Sequence, residues 1–170
     1  KDDLIQRLRR VTFPPIKIVL TGHGKVANGA QEILDGMKAK KVSVDDFLHK
    51  NFAQPVYTQI DVIDYYRRKD GQSASKQDFY KNPTDYTSNF ERFTKVADIF
   101  MAGHFFGNDG PEILSREMLR AADCKIKVVA DISCDVDDGP IACTLKASTI
   151  ADPFFGYLPS EHTEVPYTHP

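Results

Sequence analysis

The sequence predicts an α/β fold, a three-layer, doubly wound arrangement built on a mostly parallel sheet. Two observations carry this expectation. Short apolar runs at residues 16–20, 56–60, 98–102 and 126–130 have the uninterrupted hydrophobicity of strands buried on both faces. Between them lie segments whose apolar residues recur at helical spacing. Strands that alternate with helices imply parallel βαβ units with helices on both sides of the sheet.

The elements follow in order. Asp3 to Val11 sets Leu4, Ile5, Leu8 and Val11 on one helical face, and Pro14-Pro15 ends that helix. Ile16-Lys17-Ile18-Val19-Leu20 is the first strand, and Thr21-Gly22-His23-Gly24 turns the chain into a helix expected over residues 25–40, with Val26, Ala30, Ile33, Leu34 and Met37 facing inward. Ser43-Val44-Asp45-Asp46 has the capping-box pattern and opens a short helix through Leu48. Val56 to Ile60 is the second strand, ending at Asp61. Residues 64–82 carry no clear period; Arg67 to Ser73 is expected to be a solvated polar loop, and Pro83 interrupts any helix before it. Phe90, Phe93, Val96 and Ala97 suggest a helix, and Asp98 to Ala102 a third strand halted by Gly103. Gly110-Pro111 is expected to start a helix burying Ile113, Leu114, Met118 and Leu119. Ile126 to Ala130 is then a further buried strand closing at Asp131. The tail from Pro159 to Pro170 is rich in turn residues.

Composition narrows the function classes. The 170 residues suffice for one domain with a substantial core. A net charge of −2 gives no electrostatic case for nucleic acid or an anionic membrane surface. No apolar run approaches the roughly 20 residues of a membrane span. The three cysteines, Cys124, Cys134 and Cys143, form no C-x-x-C pair, and their spacing gives no zinc signal. Reduced thiols and a cytoplasmic setting are expected. The opening Lys1-Asp2-Asp3 has no initiator Met and is read as an internal cut in a longer protein.

The strongest motif is Gly22-His23-Gly24-Lys25-Val26-Ala27, a G-x-G-x-x-A between a buried strand and a helix. Gly22 permits the tight turn, Gly24 leaves the backbone bare where a pyrophosphate approaches, and Ala27 is small enough for close helix–strand packing. The helix opening near Lys25 offers free N–H groups and the positive end of its dipole to phosphates. This is the nicotinamide-dinucleotide fingerprint of the Rossmann fold. Two other readings stay open: a glycine turn without a nucleotide, and the related turn of methyltransferases. A ribose-binding acid belongs at the end of the second strand, where Asp61 stands. Its carboxylate would repel a 2′-phosphate, so NAD is the expected cofactor and NADP the alternative, with Arg67 and Arg68 as the cations to consider. Ala102, Gly103 and His104, just past the third strand, lie where loops meet the cofactor. His23 is expected to point outward, and Asp131 to bind backbone N–H groups in a structural role.

Two segments together resemble the superfamily of alanine dehydrogenase, pyridine nucleotide transhydrogenase and lysine-forming saccharopine dehydrogenase. One is Gly24-Lys25-Val26-Ala27-Asn28-Gly29-Ala30, similar to the saccharopine branch's G-R-x-G-x-G-A with Ala27 in place of a glycine. The other is Val129-Ala130-Asp131-Ile132-Ser133-Cys134-Asp135 followed by Gly139, similar to the family's D-[VI]-[AS]-x-D-x-G-G. Here Asp137-Asp138 are inserted and a single glycine precedes Pro140-Ile141, a departure that points to the saccharopine branch. Thr149 to Phe155 resembles the segment that follows this loop.

The resemblance implies an NAD(P)-binding domain over residues 14–158 of an amino-acid dehydrogenase, with residues 1–13 as a connector helix. The tail at 159–170 would lead back to a substrate domain. That domain would supply a lysine and a histidine that hold the amino-acid substrate, and a homo-oligomer is compatible with the pattern. It also implies a role for Asp135 beside the nicotinamide. A non-catalytic NAD(P)-sensing module is the reading from another class.

Overall fold

A computed structural model describes residues 2–105, 110–133, 135–136 and 139–169. The chain opens with α1 (Asp2–Leu8), β1 (Lys17–Thr21) and α2 (Lys25–Gly36). There follow β2 (Lys40–Lys41), α3 (Val44–His49), β3 (Val56–Ile60), α4 (Val62–Tyr65), β4 (Tyr66–Arg68) and α5 (Lys76–Lys81). After a 3₁₀ turn (Pro83–Asp85) come β5 (Tyr86–Ser88), α6 (Glu91–Thr94), β6 (Ile99–Ala102), α7 (Arg116–Arg120), β7 (Val128–Asp131), β8 (Gly156–Leu158) and β9 (Thr163–Val165).

The central sheet has five strands in the order β2-β3-β1-β6-β7, and every pairing in it is parallel. The side chains of β1 divide the core between the two faces. Ile18 and Leu20 join Ala27, Ala30 and Leu34 of α2 and Tyr57 of β3. Val19 joins the other face with Phe47, Phe90, Phe93, Phe100, Ile113 and Leu114. Helices and loops thus cover both faces, as the doubly wound α/β expectation requires. From β1 the chain builds first towards β3 and later returns to place β6 on the other side of β1. That reversal puts a switch point between β1 and β6 at the carboxyl edge, where such folds open a crevice.

Several boundaries differ from the sequence expectation, each for a physical reason. α2 ends at Gly36 because Lys38 adopts a left-handed φ of 63°, and the N–H groups of Lys38 and Ala39 donate back to Asp35 O and Leu34 O. This pair of bonds ends a helix with lysine in the position that glycine usually fills. Val26 was expected inside but is 47% exposed; the inward positions are Ala27, Ala30 and Leu34. No helix starts at Gly110-Pro111. Ile113, at a bend, and Leu114, which bridges to Ile141, are buried outside any helix, and α7 begins only after Ser115, whose hydroxyl accepts from Met118 N–H. The last sheet strand is Val128–Asp131, later than expected, and it is a half-exposed edge, with Val128 53% exposed.

Residues 64–82 hold the largest correction. They contain the end of α4, all of β4 and α5, and β4 pairs antiparallel with β5 in a small second sheet. Arg68 is not solvated; its side chain is 17% exposed and ion-paired with Asp70, Asp78 and Asp85. Arg67 stays exposed. Short strand β2, made of two lysines, caps the opposite sheet edge and was not foreseen. Among the described residues no helix is long and apolar enough to cross a membrane.

Candidate functional site at the carboxyl edge of the sheet

The glycine turn leaves β1 at its carboxyl end. Gly22 has a φ of +92°, a region that side chains rarely adopt, and an added Cβ would lie 2.7 Å from Gly103 O. A Cβ on Gly103 would in turn meet Ala27 Cα at 3.0 Å. Gly22, Gly103 and Ala27 therefore form a stack with no room for another methyl group, which locks the loop after β1, the loop after β6 and α2 together. Backbone bonds continue past the strand ends: Gly22 N–H donates to Ile60 O at 2.9 Å and Gly103 N–H to Thr21 O at 3.2 Å. Gln59 Nε2 donates to Gly22 O at 2.9 Å, fixing the turn from β3.

Gly24 is different. It has an ordinary φ of −80°, and a Cβ there would meet nothing within 4 Å. It is the N-cap of α2 and offers no side-chain cap, whereas Ser43, Asp61, Ser75 and Ser115 cap α3, α4, α5 and α7. The first N–H groups of this 12-residue helix thus point past a bare, exposed backbone. Lys25 and His23 are exposed beside it, so His23 points outward as expected.

Asp61 follows β3 and caps α4. Its Oδ1 accepts from Val62 N–H at 2.7 Å, and its backbone N–H donates to Asp64 Oδ2 at 2.8 Å. Its Oδ2 is ion-paired with Lys76 Nζ and lies 3.8 Å from His23 Nε2. The sequence reading missed Lys76. Its signal was Ser75-Lys76-Gln77-Asp78, the same S-x-x-D pattern as Ser43 to Asp46, which marks the start of α5.

His104 is a deeply buried histidine at this edge, 6% exposed. Its Nδ1 is 2.7 Å from the buried Thr21 hydroxyl, and its ring lies 6.1 Å from that of Tyr65. Whichever nitrogen carries the proton, Nε2 is buried without a hydrogen-bond partner among the described residues. Burial lowers the His104 pKa, while the charges of Asp131 and Asp135 pull it up. Asp131 accepts from Ser133 N–H and Oγ at Oδ1 and from Thr144 Oγ1 at Oδ2, the structural role expected of it. Asp135 comes near enough to act on His104, but Cys134, Asp137 and Asp138 of the same motif lie outside the described residues.

The structure therefore brings Gly22, Gly24, Ala27, Gly103 and His104 together at the switch point. Asp61 and His23 stand on the β3 side, Asp131 and Asp135 on the β7 side. A groove of ≈ 880 Å³ lies elsewhere, between β7 and the β8–β9 hairpin, and none of the glycine-turn residues lines it. The loop chemistry outweighs its size. Among the described residues no cluster of three metal-binding side chains exists, and Cys124 and Cys143 are free thiols, with burial pushing Cys143 up to about 12.

This chain is similar to alpha-aminoadipic semialdehyde synthase of Arabidopsis thaliana. The two are 27% identical over 169 residues, an alignment that takes in 88% of this chain and 16% of the plant protein. The chain thus spans about one-sixth of that relative's length. No protein-family model matches the chain.

Proposed function

We propose that this chain is the NAD(P)-binding domain of an amino-acid dehydrogenase of the saccharopine or alanine type, within a longer protein. The observation that carries the reading is the uncapped N-terminus of α2 behind a bare Gly24 at the switch point of a parallel sheet. Helix N–H groups and the positive dipole end favour a pyrophosphate there, and Gly24 leaves it a path to the backbone.

The residues fit this cofactor in three ways: the open space above Gly24, the closely packed Gly22–Gly103–Ala27 stack beneath it, and the orphaned Nε2 of His104 nearby. When bound, the dinucleotide supplies hydride transfer at its nicotinamide. The chain's own part is to hold the pyrophosphate at residues 22–27 and the adenosine ribose near Asp61. Gly103, His104 and Asp135 would hold the dinucleotide's nicotinamide end. The parent reaction would be hydride transfer between the nicotinamide and an amino acid or its imine, the imine being hydrolysed or formed with water. Its lysine and histidine donors would come from a substrate domain.

Calorimetric titration with NADH tests the reading. The protein should bind NADH, and Gly24→Val should abolish binding with the circular dichroism unchanged, because a side chain at 24 has room in the fold but occupies the phosphate path. Undiminished affinity in a folded Gly24→Val protein, or binding of S-adenosylmethionine in place of NADH, would overturn it.

A further inference from the structure

Thr21 and His104 meet beneath the glycine turn, and only one placement of their protons suits both. The Thr21 hydroxyl is wholly buried, and its partner among the described residues is His104 Nδ1 at 2.7 Å. If Nδ1 carried the ring proton, the hydroxyl hydrogen and the Nε2 lone pair would both be buried without a partner. If the hydroxyl donates to Nδ1 instead, a single group is stranded, the Nε2–H. Buried polar groups left unpaired are costly, so the second placement wins. The contact is a clasp in which β1 donates and the loop after β6 accepts through a neutral histidine.

A proton from solvent undoes it. Both ring nitrogens of a histidinium are donors, so Nδ1 no longer accepts, and the cation would sit where water does not reach. Burial accordingly holds the His104 pKa below the ordinary histidine value. The groups around the ring come from several elements. The ring of Tyr65, in α4, lies 6.1 Å away, and burial pushes its hydroxyl up, so it stays uncharged. Asp131, at the end of β7, and Asp135, in the loop after it, are the charges that act on the ring, and both favour the cation. His23 and Lys25 of the glycine turn are exposed. A protonated ring thus loses its bond at Thr21 and is drawn towards the β7 side.

Movement of His104 does not stay local. A Cβ on Gly22 would lie 2.9 Å from His104 Cα, and one on Gly103 3.0 Å from Ala27 Cα, so no slack separates this residue from the glycine turn and α2. We propose that Thr21 and His104 form a proton-operated switch for the crevice. The neutral ring clasps the loops after β1 and β6 in their binding arrangement; the protonated ring turns from Thr21 to the carboxylates beside β7 and releases the glycine turn. The inference rests on the dinucleotide reading for its ligand and adds regulation to that site. The sign follows from the proton count. Affinity is full above the ordinary histidine value of about 6.5 and falls once the pH drops below the lowered His104 value, and one proton limits the fall to about tenfold per pH unit.

Nitrogen NMR of the histidine rings, recorded with amide spectra from about pH 8 to about pH 5, tests the switch without a ligand. His104 should hold its proton on Nε2 at the upper end and titrate below about 6.5, with the Gly22 and Gly103 amides shifting at the same midpoint. Thr21→Ser should keep this behaviour. Thr21→Val should raise the His104 midpoint, because the hydroxyl bond favours the neutral ring. Calorimetric titration with NAD over the same range should show constant affinity down to about pH 7 and the acid fall below the midpoint. His104→Asn should abolish that fall, and His23→Gln, which removes the exposed histidine of the turn, should keep it. A His104 midpoint at or above about 6.5, glycine amides that do not move with it, or an acid fall that survives His104→Asn overturns the switch and leaves the dinucleotide reading standing. If the folded wild type binds no NAD at any pH, the dinucleotide reading fails, and the amide titration alone decides the switch.

Discussion

Gly22 and Gly24 belong to one motif and have opposite physical duties. Gly22 is required by the fold: its φ of +92° and the 2.7 Å approach to Gly103 O leave no place for a methyl group. Gly24 is required only by a ligand, since its φ is ordinary and the space around it is open. Gly22→Ala should therefore destabilise the protein by about 1–3 kcal/mol through backbone strain alone, and more once the contact with Gly103 is counted. Urea unfolding of Gly22→Ala beside Gly24→Ala separates the two duties, and equal midpoints would contradict it. The sequence made the motif legible but not this division, because both positions read simply as glycine. It likewise placed His104 past β6 without revealing the Thr21 contact that buries it, since Thr21 and His104 lie 83 residues apart.

At the scale of elements, what could be read was what had length or composition. β3 was read to the residue because five consecutive buried side chains leave an unbroken apolar run. α3 was legible through its Ser43 cap, and the structure gives the Asp46 N–H bond that such a cap makes. The segment from α4 to β5 was illegible because its pieces are three to six residues long, shorter than the window in which a helical or alternating period can be counted. Its order comes instead from charge. Arg68 gathers Asp70, Asp78 and Asp85, and the guanidinium holds the Asp70 carboxyl down at about 2. Asp78 is lowered too, first by the Tyr86 hydroxyl and then by Asn82 and Arg68. Both carboxylates have depressed folded-state pKa values. Their support is present above the unfolded value near 4 and fades as the pH falls towards 2. Arg68→Met should accelerate amide exchange across residues 66–88 at neutral pH while the parallel sheet stays protected. Uniform exchange rates in the variant and the parent would show that the network holds nothing.

For the molecule as a whole, the doubly wound class was legible because strands and helices alternate, but the strand order was not. Nothing local in Lys40-Lys41 says that two lysines pair with β3 and close that edge. The same long-range order ties ligand binding to global stability. The Gly22–Gly103–Ala27 stack joins β1, β6 and α2, so a nucleotide held at residues 22–27 requires the folded sheet. A ligand at 100 times its Kd that binds only the folded state adds about 2.7 kcal/mol to the unfolding free energy. For a chain of this size that is a rise of roughly 5–10 °C in Tm. NADH should produce such a shift in the wild type and none in Gly24→Val. A shift retained in the variant would place the ligand elsewhere on the protein.

The two borders of the sheet are unequal in a way that governs how the protein leaves solution. β2 presents lysines, which discourage another chain from pairing there. β7 pairs only with β6 among the described strands; Val128 is more than half exposed, and Phe154 and Tyr167 line the groove alongside. An open edge flanked by apolar surface is a template for intermolecular strand addition. On heating, partly unfolded copies meet that border at a rate that grows with concentration, and refolding competes with aggregation. Melting points are then comparable between ligands only at matched protein concentration and scan rate.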